Sequence, residues 1–294
     1  MPALPVRAGR RTVDVSKPDK PLFPCGVTKA DLARHYADVA GVMLPHVRGR
    51  LVSMQRFPDG IGGEGWFEKQ VPRHFPDWIE RVTVPKRGGT VTHVVVSEAA
   101  TLVYLANQGC ITPHVWLSRA DRPERPDRLV IDLDPADDDA FDDIRATARD
   151  VVGPLLREHG LTPFAMTTGS RGIHVVAPLR RTADFETARE WSRGLAEEAT
   201  ARDDRLTTAF YKSDRGGRIL VDVMRNRWAQ TAVPPYGVRP KPGAPVAVPI
   251  AWDELDDDAL RPDAWTVRNI GERLAAAGDP WAQMRSAARG IPRT

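Results

Sequence analysis

The sequence predicts an α+β protein of mixed α/β order, and three observations carry that expectation. Short runs rich in valine, isoleucine and threonine alternate with segments of helical period. Some of these runs follow one another with no helix between them. Proline- and glycine-bearing turns punctuate the series. At 294 residues the chain can bury a large core, in one elaborated domain or two close-packed subdomains.

The elements follow in order. Residues 1–19 are basic and polar and read as a flexible arm or an edge strand. Thr28 is a helix N-cap with Asp31 in the first turn, and Leu32, Tyr36, Val39 and Met43 recur at helical spacing, predicting one helix to about Met43. Strands are expected at Leu51–Gln55, Arg81–Val84 and Thr90–Ser97, and a short helix at Ala99–Asn107 closed by Gly109. Pro113–Ser118 is extended, and Arg122–Pro126 is a connector. A strand at Leu129–Leu133, a helix at Ala140–His159 and strands at Phe164–Thr167 and His174–Ala177 come next. A third helix covers Asp184–Arg202, and Ile219–Val223 is another strand. From residue 240 the chain wraps the surface before a last helix near Asn269–Ala277, stopped by Gly278.

Composition narrows the function classes. Apolar content of 41% and charged content of 28% are ordinary for a soluble globular enzyme. Met-Pro-Ala-Leu-Pro-Val-Arg lacks the apolar core of a signal peptide, and no run of 18 apolar residues occurs, so no membrane association is expected. Cys25 and Cys110 have no CxxC partner, which argues against structural zinc and for a reducing cytoplasm. Residues 1–120 carry 16 Lys/Arg against 10 Asp/Glu, whereas 127–160 carry 4 Arg against 10 acids. A basic first part beside an acidic segment suits a protein that holds a polyanion and concentrates metal ions; solubility alone would also account for it.

In Val130-Ile-Asp-Leu-Asp-Pro135 a strand would point Asp132 and Asp134 to one face with Leu133 opposite, and Pro135 would end the ladder there. Two like charges so placed repel unless a cation lies between them, and carboxylate oxygen suits Mg²⁺ and Mn²⁺. An acidic strand-to-loop edge continuing into Asp137–Asp139 and Asp142–Asp143 is the alternative. Ile219-Leu-Val-Asp-Val-Met224 sets Asp222 mid-strand among hydrophobes, where a carboxylate needs a metal or a partner such as Arg225 or Arg218. Three aspartates on neighbouring strands would hold two divalent metal ions, Mn²⁺ or Mg²⁺.

Thr167-Thr-Gly-Ser-Arg-Gly-Ile-His174 is either an ordinary hairpin turn or a cradle in which Thr168, Ser170, Arg171 and His174 meet phosphate oxygens. Arg215, Arg225 and Arg239 flank the Asp222 strand and could neutralise a triphosphate or lie on the surface. Trp66 and Phe67 stand among Arg56, Lys69, Arg73 and His74, a composition for base stacking beside phosphates or for anchoring a loop. Lys20 and Lys29 flank Pro21-Leu-Phe-Pro24 and could grip a terminal phosphate or be solvated.

Taken together the motifs form a series. Asp19-Lys-Pro-Leu-Phe-Pro24 with Thr28-Lys29, Arg56-Phe-Pro-Asp-Gly60, Phe67-Glu-Lys69, Pro72-Arg-His74 and Leu105-Ala-Asn107 come in order. His114-Val-Trp-Leu-Ser118, Asp132-Leu-Asp-Pro135, Gly172-Ile-His174, Gln230-Thr-Ala232 and Pro235-Tyr236 continue it. The chain resembles the polymerase domain of bacterial ligase D, in the archaeo-eukaryotic primase (primase-polymerase) superfamily, over about residues 12 to 285.

The resemblance implies a primase-polymerase fold of two packed subdomains around mixed and antiparallel sheets, with an RRM-like catalytic half. It divides the single catalytic domain, 1–294, into a basic DNA-contacting part, 1–120, and a metal- and nucleotide-binding part, 121–294, with a C-terminal wrap. Asp132, Asp134 and Asp222 match the family's metal-binding triad. His114, Thr168, Arg171, Arg215 and Arg239 match positions that contact the incoming nucleotide, and Ser170, His174 and Arg225 stand beside them. Lys20 and Lys29 match lysines that recognise a 5′-phosphate; Trp66 and Phe67 match an aromatic pair near the template, with Arg56, Lys69 and Arg73 alongside. Thr168 stands where many relatives have serine and Arg171 where they have lysine, so a hydroxyl and a cation are kept while the cation's geometry changes.

The implied activity is addition of NTPs in preference to dNTPs to a 3′-OH at DNA gaps or double-strand-break ends, by a monomer acting at the nucleoid. Its expected partners are gapped or broken double-stranded DNA with a 5′-phosphate and a DNA ligase or end-binding protein. A metal-dependent nuclease or phosphatase using the same aspartates, and a non-catalytic DNA-end-binding module, are the alternatives. No ligase lysine motif or phosphoesterase segment occurs, and Met1 with a finished-looking C-terminus points to a stand-alone paralogue.

Overall fold

The computed structural model describes residues 2–135 and 141–292, arranged as two compact units. The first comprises residues 1–123, 233–247 and 265–278; the second comprises 124–232, 248–264 and 279–294. The acidic run Asp137–Asp139 and the expected helix start at Ala140 lie outside the described residues.

In the first unit the N-terminal arm is a hairpin, β1 (Leu4–Ala8) with β2 (Arg11–Val15), turned through Gly9 at a φ of 63°. Val6, Ala8, Val13 and Val15 point inward, so of the two readings of this segment, arm or edge strand, the strand is the one found. The single helix expected to Met43 is two, α1 (Lys29–Asp38) and α2 (Ala40–Val47). Thr28 and Asp31 form a reciprocal capping box at the start of α1. The chain kinks at Val39 (ψ −3°), and the apolar face continues across the break, which is why periodicity alone ran through it.

The strands β3 (Val52–Arg56) and β4 (Trp66–Glu68), the hairpin β5 (Arg81–Lys86) and β6 (Gly89–Val94), the helix α3 (Ala99–Asn107) and the strand β7 (Cys110–Trp116) follow. β3 pairs antiparallel with both β4 and β7. The expected Trp66–Phe67 loop is therefore a strand, and the extended segment starts at Cys110, ahead of Pro113. The expected connector Arg122–Pro126 is itself a strand, β9, and it pairs with the short β8 (Ser118–Arg119).

The second unit is built on β10 (Arg128–Asp134), β11 (Phe164–Thr167), β12 (Ile173–Pro178), β13 (Leu206–Thr207), β14 (Ile219–Asp222) and the strand Val248–Ile250. Their order across the sheet is β13, β14, β10, β12, β11 and Val248–Ile250, antiparallel throughout except for the parallel β13–β14 pair. β10 and β12 are buried almost residue for residue, as central strands covered on both faces must be. Between β10 and β11 the expected single helix is α4 (Phe141–Ala146), a π-helical stretch Thr147–Val152 and α5 (Gly153–Glu158). Pro154 cannot donate the ladder hydrogen bond there, and Gly153 lets the Trp252 ring close in where a Cβ would lie 2.1 Å from it. The helix α6 (Phe185–Arg202) is N-capped by Asp184, whose side chain accepts from Thr187 N–H.

Candidate active site

Antiparallel register assembles the carboxylates. Asp132 of β10 lies directly opposite Asp222 of β14 on one side and opposite His174 of β12 on the other, and all three share one face of the sheet. Asp134 follows two residues along on that face, opposite Leu220. Asp132, Asp222 and His174 are buried, and a His174 ring nitrogen sits 3.4 Å from an Asp132 oxygen. β14 ends at Asp222 instead of running through Val223, so Asp222 is terminal rather than mid-strand. One Asp222 oxygen accepts the Met224 backbone N–H at 2.7 Å.

The expected arginine partner of Asp222 leans the other way. Arg225 Nε lies 3.9 Å from an Asp132 oxygen, while Arg218 Nε donates to the Arg215 carbonyl. Burial pushes the Asp222 carboxyl above its ordinary pKa, and Asp132 adds to that; the Met224 N–H, Arg225 and His174 oppose it. Asp134 is likewise raised by burial, then by Asp132 and Asp222, with Arg215 and Arg171 pulling it down. Three like-charged groups thus crowd one face in a partly buried place.

The chemistry of this donor set fits hard divalent ions: three carboxylates supply all-oxygen ligands at a strand end followed by Pro135. Among the described residues no three His, Cys, Asp or Glu side chains already converge on one point that would hold an ion. The backbone brings the carboxylates together; their side chains are not preset as a closed cage.

Thr168 to Gly172 make the turn of the antiparallel β11–β12 hairpin. The Thr168 N–H donates to the Gly172 carbonyl, and the Gly172 N–H donates to Thr168 Oγ1, so the turn is closed from within. A Cβ on Gly172 would sit 2.2 Å from the Leu133 carbonyl, which requires glycine where the turn crosses the carboxylate strand. Arg171 is exposed at the tip, Ser170 is half-buried, and Thr168 is buried.

The remaining candidates lie in the first unit. Phe67 stands opposite Gln55, and His114 stands opposite Ser53, on one face of the β4–β3–β7 sheet. Gln55 Oε1 lies 3.1 Å from His114 Nε2; an amide oxygen only accepts, so that nitrogen carries the hydrogen. The Phe67 ring meets the His114 ring edge-on with centroids 5.2 Å apart. Arg56 is tied to Glu68 and to the Gln108 carbonyl and lies over the Trp66 ring. Trp66, Phe67, Lys69 and Arg73 are exposed. The Arg239 N–H donates to the Pro245 carbonyl.

Lys29 N–H donates to the Lys20 carbonyl, so the two lysines sit across a tight loop. Burial and then the charges of Lys20 and Lys17 lower the Lys29 pKa, marking a place where an anion would relieve strain. Lys20 meets Asp59 at 2.6 Å through an exposed carboxylate. Sequence patterning missed Gln55 and Asn226. Asn226 is 1% exposed and hydrogen-bonds by side chain to the Val130 backbone; a lone polar residue after a strand carries no periodic signal that would identify it.

A family model described as the LigD primase-polymerase domain matches residues 28–281. The multifunctional non-homologous end joining DNA repair protein LigD of Mycobacterium tuberculosis is 34% identical over 282 residues, covering 92% of this chain and 37% of that protein. The Pseudomonas aeruginosa LigD is 33% identical over 281 residues, covering 94% of this chain and 33% of that protein. The chain thus spans little more than a third of the curated relatives it matches. A solved structure of the polymerase domain from M. tuberculosis ligase D in complex with DNA superposes with a TM-score of 0.87 at 33% identity, covering 94% of this chain and 99% of that one. The chain belongs to the LigD primase-polymerase domain family, and with it to the nucleotidyltransferases.

Proposed function

We propose that this chain is a DNA-dependent polymerase that adds nucleotides, NTPs in preference, to a 3′-OH at a DNA gap or double-strand-break end. The observation that carries the reading is the β10–β14 register, which sets Asp132 against Asp222 with Asp134 beside them and crowds three carboxylates on one face. Those three residues would hold two divalent ions, Mn²⁺ or Mg²⁺. Such ions, when bound, stabilise negative charge on the attacking hydroxyl and on the departing pyrophosphate.

The chain's own residues would do the rest. Arg171 and Arg215, whose charges already reach Asp134, would take triphosphate oxygens, with Thr168, Ser170, His174 and Arg225 beside them. The family pattern adds His114 and Arg239. Lys29 and Lys20 would take a 5′-phosphate, where the lowered Lys29 pKa supports an anion site. Trp66 and Phe67, with Arg56, Lys69 and Arg73, would meet the template strand by stacking and phosphate contact. Residues 1–120 would then chiefly hold DNA, and 121–294 the metal ions and nucleotide.

The solved relative is described as a complex with DNA, and the curated relatives as end-joining proteins, which supports broken DNA as the substrate. A DNA ligase or an end-binding protein, on the same chain or another, is the partner this implies, at the nucleoid. No described helix is long and apolar enough to cross a membrane. The test is extension of a primer across a gap, comparing NTPs with dNTPs and Mg²⁺ with Mn²⁺. Asp132→Ala and Asp134→Ala should each lower extension on the order of a thousandfold, since several kcal/mol of charge stabilisation would go. Undiminished extension in either variant overturns the proposal, and phosphate release without nucleotide addition would favour a hydrolase.

A further inference from the structure

We infer that Phe210 and Tyr211 form a stacking platform for an unpaired DNA base at the carboxylate end of the second unit's sheet. The inference rests on the polymerase reading above and adds a binding element to it.

Topology places the segment. β13 and β14 are adjacent and parallel, with Leu206 beside Ile219 and Thr207 beside Leu220. The chain leaving the far end of β13 must therefore travel back to the near end of β14 before it can pair. Residues 208–218 make that return. They arrive where β10 finishes, because Asp134 pairs with Leu220, two residues beyond Arg218.

The segment leaves its largest side chains in water. Phe210 is 58% exposed and Tyr211 69%, more than Trp66 at 44% and Phe67 at 55%. The two rings meet edge to face with centroids 5.6 Å apart, forming one apolar surface. Two adjoining exposed rings rimmed by polar residues make a contiguous apolar patch, the kind of surface that serves contact.

Charge identifies the occupant. In the eight residues that follow Phe210, Lys212, Arg215 and Arg218 stand against the single acid Asp214. Arg215 donates to the Phe210 carbonyl at 3.0 Å while its charge reaches Asp134, and Arg218 Nε donates to the Arg215 carbonyl at 2.9 Å. The residue that holds the Phe210 carbonyl is therefore also one whose charge acts on Asp134. An apolar peptide would match the rings but not three cations. A strand of nucleic acid matches both, because bases stack on aromatic faces while phosphates meet bases of the protein. An unpaired base can offer both of its faces, whereas a blunt duplex offers only the outer face of its terminal pair.

The test uses a duplex with a short 3′ overhang that carries 2-aminopurine, beside the same duplex blunt. The native chain should bind the overhang more tightly and quench the 2-aminopurine fluorescence. The double variant Phe210→Ala, Tyr211→Ala should bind the overhang about tenfold more weakly and lose the quenching, with blunt-end affinity unchanged. Its salt dependence should stay the same because no cation is removed, whereas Arg218→Ala should lower the salt slope. Tyr211→Trp should retain binding and quenching. Equal overhang binding by native and double variant, or an equal loss on blunt DNA, overturns the inference. Extension of a fully paired primer across a gap should survive the double substitution. If the native chain extends nothing while overhang binding still depends on the two rings, the polymerase reading fails and the platform stands.

Discussion

Asn226 and Val130 exchange two hydrogen bonds: the Val130 N–H donates to Asn226 Oδ1 at 2.9 Å, and Asn226 Nδ2 donates to the Val130 carbonyl at 2.8 Å. The side chain thereby replaces the strand that β14 would have supplied. β14 stops at Asp222, opposite Asp132, and the next ladder position on β10 is completed by a carboxamide. A third bond, from Nδ2 to the Val223 carbonyl at 3.0 Å, fixes the turn that carries Arg225.

Asn226→Ala should accordingly leave buried Val130 groups unpaired and destabilise the chain by about 2–4 kcal/mol. Asn226→Asp, which keeps an acceptor for the Val130 N–H, should recover part of that. Denaturant unfolding measures both, and a loss under about 1 kcal/mol for the alanine variant would contradict the role assigned to the carboxamide.

Gly172→Ala drives a methyl into the Leu133 carbonyl, a backbone atom that cannot swing aside. The expected result is destabilisation of about 2 kcal/mol or more, with primer extension lost at temperatures where the chain is still folded. Leu133 lies between Asp132 and Asp134, so moving its carbonyl moves the carboxylates. A variant with native melting temperature and native extension would show that the turn tolerates the methyl.

The pH dependence follows from the raised carboxyls. Asp134 and Asp222 hold protons more tightly in the folded chain than in the unfolded one. The stability this confers is present below about pH 4, the ordinary carboxylate range, and is lost as pH rises through the raised values. Surface carboxylates such as Asp203 and Glu198 are lowered by arginine or histidine partners and act in the opposite sense, so a difference measurement isolates the site. Without divalent ions, Asp134→Asn should gain stability relative to the native chain as pH rises from about 4 to 7. Adding Mn²⁺ at neutral pH should stabilise the native chain more than the variant. Parallel stability curves with and without Mn²⁺ would rule out charge crowding as the cause.

Lys29→Ala should reduce the preference for 5′-phosphorylated over 5′-hydroxyl gapped DNA by about tenfold, as expected for one partly buried charge-assisted contact. It should also lower the salt slope of binding by about one. Competition binding with the two DNAs decides the point; an unchanged ratio places the phosphate elsewhere.

Much of the site was legible from local rules. Alternation along Val130 to Pro135 puts Asp132 and Asp134 on one face whatever the rest of the chain does, and the proline ends the strand after them. The capping box at Thr28 and Asp31 is equally local, and so is the glycine-bearing turn at 168–172. Period failed where one apolar face continued through a change of backbone, as at Val39 and in the π-helical stretch 147–152. It also failed for Trp66–Glu68, which is too short to show alternation and is a strand only because β3 offers it an edge.

The sequence by itself determined which residue types face together along each strand, and its ordered motifs determined the family. Only the tertiary structure decided that Asp132 stands between His174 and Asp222, that Asn226 finishes the β10 ladder, and that Phe210 and Tyr211 stay exposed on the return to β14. The physical reason is the range of the interactions. Side-chain alternation follows from the dihedrals of neighbouring residues, whereas register between strands 42 and 90 positions apart depends on how the whole unit packs.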